Sequence, residues 1–204
     1  MDLQLPKIYP ITDTRLPGLS HLQQLRRLTA CGAQLVQLRE KGASSKEFFY
    51  AASEAVSFAK QNGVRLIIND RADITMTLGA DGVHLGQDDL PPAEARALLG
   101  ADAIIGFSTH SIRQATAALD LPINYLAFGP IFRTASKNSP DPIVGLDALE
   151  QVCRLAGPLP VVAIGGIDAA NLTSVFAAGA ASAAMIGAFI SGSMSIEKLF
   201  REHN

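Results

Sequence analysis

Residues 65–92 read RLIINDRADITMTLGADGVHLGQDDLPP, which is one structural unit and the start of the next. RLIIN is a short apolar run rich in branched side chains, and it ends in the polar cluster Asn69, Asp70, Arg71. A short helical pattern follows at 72–78. A second apolar run, GVHL at 82–85, then ends in Gly86, Gln87, Asp88 and Asp89, and Pro91 and Pro92 suit the first turn of another helix. Short, near-continuous apolar runs are what strands buried on both faces look like. A strand, a helix and another strand in this order make the unit of a parallel sheet.

The unit recurs in both directions. β-rich runs fall at 7–12, 35–39, 65–69, 82–85, 103–107, 125–128, 160–164 and 183–186, and spacings of about 20 to 35 residues are those of βα units. Helical patterns lie between and after them, at 22–30, 45–61, 72–78, 92–99, 112–119, 146–155, 170–178 and 196–202. Ser44 or Ser45 can cap the second helix and Ser111 or His110 opens the fifth. Gly63, Gly100 and Gly179 stand where a left-handed C-terminal residue is expected. Eight strands alternating with eight helices predict one α/β domain over 1–204, a single (β/α)8 TIM barrel, in preference to a doubly wound open sheet.

Bulk composition narrows the partners. The chain has 204 residues, 48% of them hydrophobic and 18% charged, with a formal net charge of −2 and a mean hydropathy of +0.22. That is a globular composition without the basic excess that a nucleic-acid backbone calls for, so positive charge is expected to be focused on a small anion. Cys31 and Cys153 lie far apart in no metal-binding spacing, which suggests neither a disulfide framework nor a zinc site. MDLQLPKIYPITD lacks a charged segment leading into an apolar one. No apolar run approaches the roughly 18 to 20 residues that a membrane span needs, and the protein is read as cytoplasmic, without membrane partners.

In a (β/α)8 barrel the C-terminal ends of the strands share one rim, where active sites are built. In QLREK (37–41) the two-residue strand period puts Gln37 and Arg39 on one face, with Lys41 continuing the line. A solvated strand end is the plain alternative, but an Arg facing a barrel interior needs an anion or a partner. Asn69 and Asp70 end the third strand, and Asp88 and Asp89 follow the fourth. Carboxylates from neighbouring strand ends beside cations suit Mg²⁺, which keeps several waters and takes one or two protein carboxylates. Taken singly, Asp70 could equally cap the next helix, and Asp88 and Asp89 could simply form a turn.

Ser108, ending the fifth strand in GFSTHS, can donate to a phosphate or cap a helix, and His110 can act as acid or base. His84 reads as a packed, hydrogen-bonded core residue, while His21 and His203 carry no signal. The long connection GPIFRTASKNSPDPIVG (129–145) has the length of a mobile lid and carries Arg133, Thr134, Ser136 and Lys137. AIGGI (163–167) and Ile186-Gly187 end the seventh and eighth strands, whose loops often bind phosphate through backbone amides, although a glycine pair also serves any tight turn. Together these features describe two phosphate-type surfaces across one barrel mouth, which suggests two phosphorylated substrates.

In this order and spacing, QLREK, LIINDRADI, DGVHLGQDDLP, IIGFSTHS, YLAFGPIFRTASK and PVVAIGGI resemble the thiamine phosphate synthase family over nearly the whole chain. The resemblance implies a transferase that joins a hydroxymethylpyrimidine diphosphate to a thiazole phosphate, plain or carboxylated, giving thiamine phosphate and pyrophosphate. On the family pattern Gln37, Arg39, Lys41 and Asn69 would hold the pyrimidine diphosphate, Asp70 and Asp89 would bind Mg²⁺, and Ser108 and Lys137 would bind the departing pyrophosphate. Thr134, Ser136, Gly166, Ile186 and Gly187 would hold the thiazole phosphate. Gly187 stands where the family usually has a serine, and TASK replaces the commoner threonine-containing form. The implied partners are these two small molecules, with a homo-oligomer left open. The rival readings are a thiazole tautomerase of the same fold, using His110 as acid or base, and a non-catalytic barrel that binds a thiamine precursor.

Overall fold

The computed structural model describes residues 4–15, 18–133, 141–186 and 196–203. Among them eight strands alternate with eight helices: β1 (Ile8–Asp13), α1 (His21–Ala30), β2 (Leu35–Arg39), α2 (Ser45–Asn62), β3 (Arg65–Asn69), α3 (Ala72–Leu78), β4 (Gly82–Leu85), α4 (Pro92–Leu99), β5 (Ile104–Thr109), α5 (Ile112–Ala118), β6 (Tyr125–Phe128), α6 (Gly145–Ala156), β7 (Val161–Ile164), α7 (Leu172–Ala177), β8 (Ser182–Met185) and α8 (Ile196–His203). The strands pair in parallel in chain order, and β8 pairs with β1 to close the barrel. This is the expected (β/α)8 fold. No helix of the described residues is long and apolar enough to cross a membrane.

Strand alternation divides the core in two. Ile8, Val36, Leu38, Leu66, Ile68, Val83, Leu85, Ile105 and Phe128 face outward into one large cluster with the helices. Tyr9, Ile11, Leu35, Ile67, Ile104, Tyr125, Ala127, Val162 and Ala184 fill the barrel interior. The outward face needs apolar groups to meet the helices. The inward face tolerates polar side chains only where they pair with one another or reach the mouth.

Two strand ends run further than the apolar pattern predicts, because polar residues that look like turn signals are paired across the sheet. β1 continues to Asp13, opposite Arg39, and β5 continues through Ser108 to Thr109, whose hydroxyl donates to the Ala127 carbonyl at 3.0 Å. Local signals hold elsewhere. Ser44 caps α2 in a reciprocal pair with Glu47, Ser111 caps α5, and Pro92 opens α4. Gly63 closes α2 in the left-handed conformation, φ 67° and ψ 24°, whereas Gly100 follows α4 with an extended ψ of 177°. Cys31 and Cys153 are free thiols and only half-buried.

One row of inward positions shapes the interior. Asn69, His84, Gly106 and Tyr125 lie opposite one another across β3 to β6. A Cβ on Gly106 would run into the Tyr125 ring, so this position has to be glycine. The space it leaves lets that ring reach across and stack on His84, with centroids 5.6 Å apart and planes 17° apart. Gly106→Ala should therefore destabilise the fold by about 1 to 3 kcal/mol, the usual cost of overpacking a tight core. Urea unfolding measures this, and an unchanged midpoint would contradict the packing described.

Candidate active site

The cationic side of the mouth is built where β1 and β2 end together. Asp13 and Arg39 are register partners and both face inward. Asp13 Oδ2 accepts from Arg39 Nη1 at 2.5 Å and from Arg15 Nη2 at 2.7 Å, and Oδ1 accepts from Arg15 Nε and the Arg15 amide. Burial pushes the Asp13 carboxyl up, but the Arg15 bonds and the charge of Arg39 together outweigh it and hold the group below its ordinary value. Asp13 was not anticipated as a site residue. Its signal in the sequence was a carboxylate ending a strand beside the strand that carries Arg39.

Lys41 sits in the turn after β2, and the neighbouring Glu40 fixes that turn. Glu40 accepts from the Thr14 hydroxyl at 2.5 Å and from the Gly42 and Ala43 amides, with buried His21 Nε2 at 3.4 Å. The other ring nitrogen of His21 lies 2.7 Å from the Thr12 hydroxyl. His21 thus packs beside the turn, bound through its Thr12 contact, a place its sequence position did not suggest. Lys41 itself reaches across to Asp70 Oδ2 at 2.5 Å.

Asp70 does not cap α3. Arg71 occupies that position, without a capping bond from its side chain, which is bound to Asp73 and Ser45. Asp70 instead adopts φ 65°, a conformation that Asp tolerates better than most residues, and its amide donates to the His84 carbonyl at 2.8 Å. Its carboxylate stands near Asp89, whose Oδ2 accepts from the Gly86 amide at 2.6 Å. Burial, and then the Asp70 carboxylate alongside, push the Asp89 carboxyl above its ordinary range, against the opposing pull of the Gly86 amide and Lys41. Asp88 is exposed and stands outside this pair.

The inner ring of polar groups lies just below. Gln37 is buried, and its amide nitrogen donates to the Tyr9 hydroxyl at 3.2 Å. Ser108 Oγ lies 2.8 Å from His84 Nε2, and the Ser108 carbonyl accepts from Gln87. Asn69 faces inward at the end of β3, beside His84. His110 is held differently: its Nδ1 is 2.6 Å from the Gly129 carbonyl and 3.6 Å from Asp141. That contact anchors it to the start of the long connection.

On the opposite side, Gly166 follows β7 and Ile186 follows β8, whose ends are register neighbours. A Cβ on Gly166 would run into the Arg133 carbonyl and Phe132, so the glycine is required by close approach of the β6–α6 connection. Thr134, Ser136, Lys137 and Gly187 lie outside the described residues.

Asp70 and Asp89 bring two carboxylates against one ammonium, which leaves a surplus of negative charge at their contact. Among the described residues no group of three His, Cys, Asp or Glu side chains could form a closed metal cage. A two-carboxylate site instead suits a hard cation that keeps most of its waters, and Mg²⁺ fits it. The rim thus sets the cationic Arg39 and Lys41 beside the carboxylates of Asp70 and Asp89.

The thiamine monophosphate synthase family matches residues 8–189. A thiamine-phosphate synthase of Koribacter versatilis is 44% identical over 90% of this chain and 89% of its own length. One from Syntrophomonas wolfei is 41% identical over 91% and 89%. The structure of a thiamine phosphate pyrophosphorylase from Pyrococcus furiosus superposes with a TM-score of 0.83 at 30% identity, covering 96% of this chain and 92% of that one. The chain belongs to the thiamine monophosphate synthase family.

Proposed function

We propose that this chain, acting as one catalytic domain, joins a hydroxymethylpyrimidine diphosphate to a thiazole phosphate, forming thiamine phosphate and releasing pyrophosphate. The observation that carries the reading is the cationic pair Arg39 and Lys41, held by Asp13 and Asp70 at 2.5 Å each on one rim, with Asp89 near Asp70. Two carboxylates this close repel one another, and the single Lys41 ammonium beside them leaves a negative surplus that a hard cation would neutralise, while Arg39 and Lys41 remain for an anion. A diphosphate carrying a hard cation supplies both.

In this reading Gln37, Arg39, Lys41 and Asn69 hold the pyrimidine diphosphate, and Ser108 and Lys137 meet the departing pyrophosphate. Thr134, Ser136, Gly166, Ile186 and Gly187 take the thiazole phosphate. Asp70 and Asp89 would hold Mg²⁺, which supplies charge stabilisation to the diphosphate. The C–O bond breaks first, and the thiazole nitrogen then captures the pyrimidinylmethyl cation. Such a step asks the protein for stabilisation of a leaving anion and for exclusion of water, rather than for a nucleophile or base. Arg39 and Lys41 are already oriented by Asp13 and Asp70, so little reorganisation accompanies charge development. His110 is anchored through Nδ1 to the Gly129 carbonyl, which leaves Nε2 for acid–base work, so the synthase is favoured over the tautomerase by the Arg39, Lys41, Asp70 and Asp89 set and not by the placement of His110.

Purified protein given both substrates and Mg²⁺ should release pyrophosphate and form thiamine phosphate, and a chelator should abolish both. Asp89→Ala and Lys137→Ala should each lower kcat by about 100-fold or more while the fold survives, on the scale of lost leaving-group stabilisation. Near-wild-type turnover in both variants would contradict the assignment. Asp13→Asn should raise KM for the pyrimidine diphosphate by about tenfold, because Arg39 loses its charged anchor, and leave KM for the thiazole phosphate unchanged. Equal effects on both KM values would show that Asp13 acts only through the fold.

A further inference from the structure

Five polar side chains form a continuous chain through the barrel interior, from β2 to β5. Gln37 Nε2 lies 3.2 Å from Tyr9 Oη, Tyr9 Oη 3.0 Å from Tyr125 Oη, Tyr125 Oη 2.9 Å from His84 Nδ1, and His84 Nε2 2.8 Å from Ser108 Oγ. Tyr9 and Tyr125 are essentially without exposure, and Gln37 and His84 are buried. Three of the five come from strands whose neighbouring inward positions are apolar or glycine, so the chain is a built feature of an otherwise oily interior.

The protons in this chain can be counted. The Gln37 amide nitrogen has only donors, so Tyr9 Oη accepts from it. Among the described residues, the acceptor open to the Tyr9 proton is Tyr125 Oη. Having accepted that bond, Tyr125 gives its own proton to His84 Nδ1. Nδ1 is then an acceptor, so the imidazole is neutral and its proton is on Nε2, from which it donates to Ser108 Oγ. A hydroxyl that accepts from below must place its single proton elsewhere, and for Ser108 the direction left is the mouth.

We propose that the chain Gln37–Tyr9–Tyr125–His84 is a positioning relay that holds the Ser108 hydroxyl as a donor toward the leaving pyrophosphate. This rests on the reading above, in which Ser108 and Gln37 touch the diphosphate substrate. Tyr9, Tyr125 and His84 touch no reacting atom and act through Ser108. The benefit is preorganisation: charge growing on the leaving oxygen meets a donor that need not turn round. If the relay is broken, the imidazole can carry its proton on Nδ1, and Ser108 then donates down to Nε2 and offers the phosphate only a lone pair. Both phenols stay protonated at neutral pH, since burial pushes Tyr9 up to about 12 and Tyr125 well above its ordinary value.

Tyr125→Phe tests this, because the ring keeps its stack on His84 and its edge contact with Tyr9 and loses only the oxygen. We expect kcat to fall about tenfold, the scale of one misdirected charge-assisted hydrogen bond, with KM for the thiazole phosphate within about twofold and the melting profile cooperative. In a Ser108→Ala background the same change should cost less than about twofold, since the relay then has nothing to orient. Nitrogen-15 NMR of the His84 ring should show the proton on Nε2 in the wild type and a mixture of tautomers in Tyr125→Phe. Should Tyr125→Phe fail to fold, Tyr9→Phe breaks the relay one link earlier and is held to the same kinetic outcomes. An unchanged kcat, an equal loss in the Ser108→Ala background, or a wild-type proton on Nδ1 would each overturn the relay. A wild-type protein that forms no thiamine phosphate would overturn the underlying reading instead, leaving the tautomer measurement as a separate result.

Discussion

A closed parallel barrel gives every second strand residue the same small interior, and each polar group placed there must find a partner or the mouth. Most of this structure follows from that constraint. The lower interior meets it with apolar side chains, and the level above meets it with the Gln37–Tyr9–Tyr125–His84–Ser108 chain, in which each polar group faces another. Gly106 makes this level fit by giving up its side chain so that two rings can meet. At the rim, Asp13 and Asp70 meet the same demand for Arg39 and Lys41.

The rim pairs also carry the functional logic. Each cation is held by a carboxylate that a ligand does not need to displace completely, since Asp13 is shared with Arg15 and Asp70 is shared with Asp89. The site is oriented before substrate arrives, and the charge balance is left slightly anionic where a hard cation would enter. On the proposed reading, stabilising a departing pyrophosphate calls for fixed charges in this kind of arrangement rather than for a nucleophile and base pair.

The fold was legible because eight apolar runs with helical patterns between them leave few alternatives, and even short elements such as 72–78 and 92–99 matched to the residue. Strand ends were less legible. Asp13 and Thr109 read as turn residues in one dimension, and only pairing with Arg39 and the Ala127 carbonyl makes them strand. At the candidate site, strand period places Gln37 and Arg39 on the inward face with Lys41 continuing the line, whereas the choice of Asp70 and Asp89 came from the family resemblance. Asp13, His21, Tyr9 and Tyr125 could not be read in either way, because their importance lies in partners 9 to 116 positions away that no local pattern displays. His84 was correctly read as a packed, hydrogen-bonded residue, but what it connects became visible only in three dimensions.

The account centres on a rim that binds a metal-bearing diphosphate between the Asp70–Asp89 pair and the Arg39–Lys41 cations. Its most direct test is a crystal structure of the protein soaked with Mn²⁺ and pyrophosphate, with anomalous scattering used to locate the metal. The account predicts one Mn²⁺ peak between the Asp70 and Asp89 carboxylates, with pyrophosphate oxygens against Arg39, Lys41 and the Ser108 hydroxyl. A metal elsewhere on the protein, or pyrophosphate bound without contact to this rim, would contradict it.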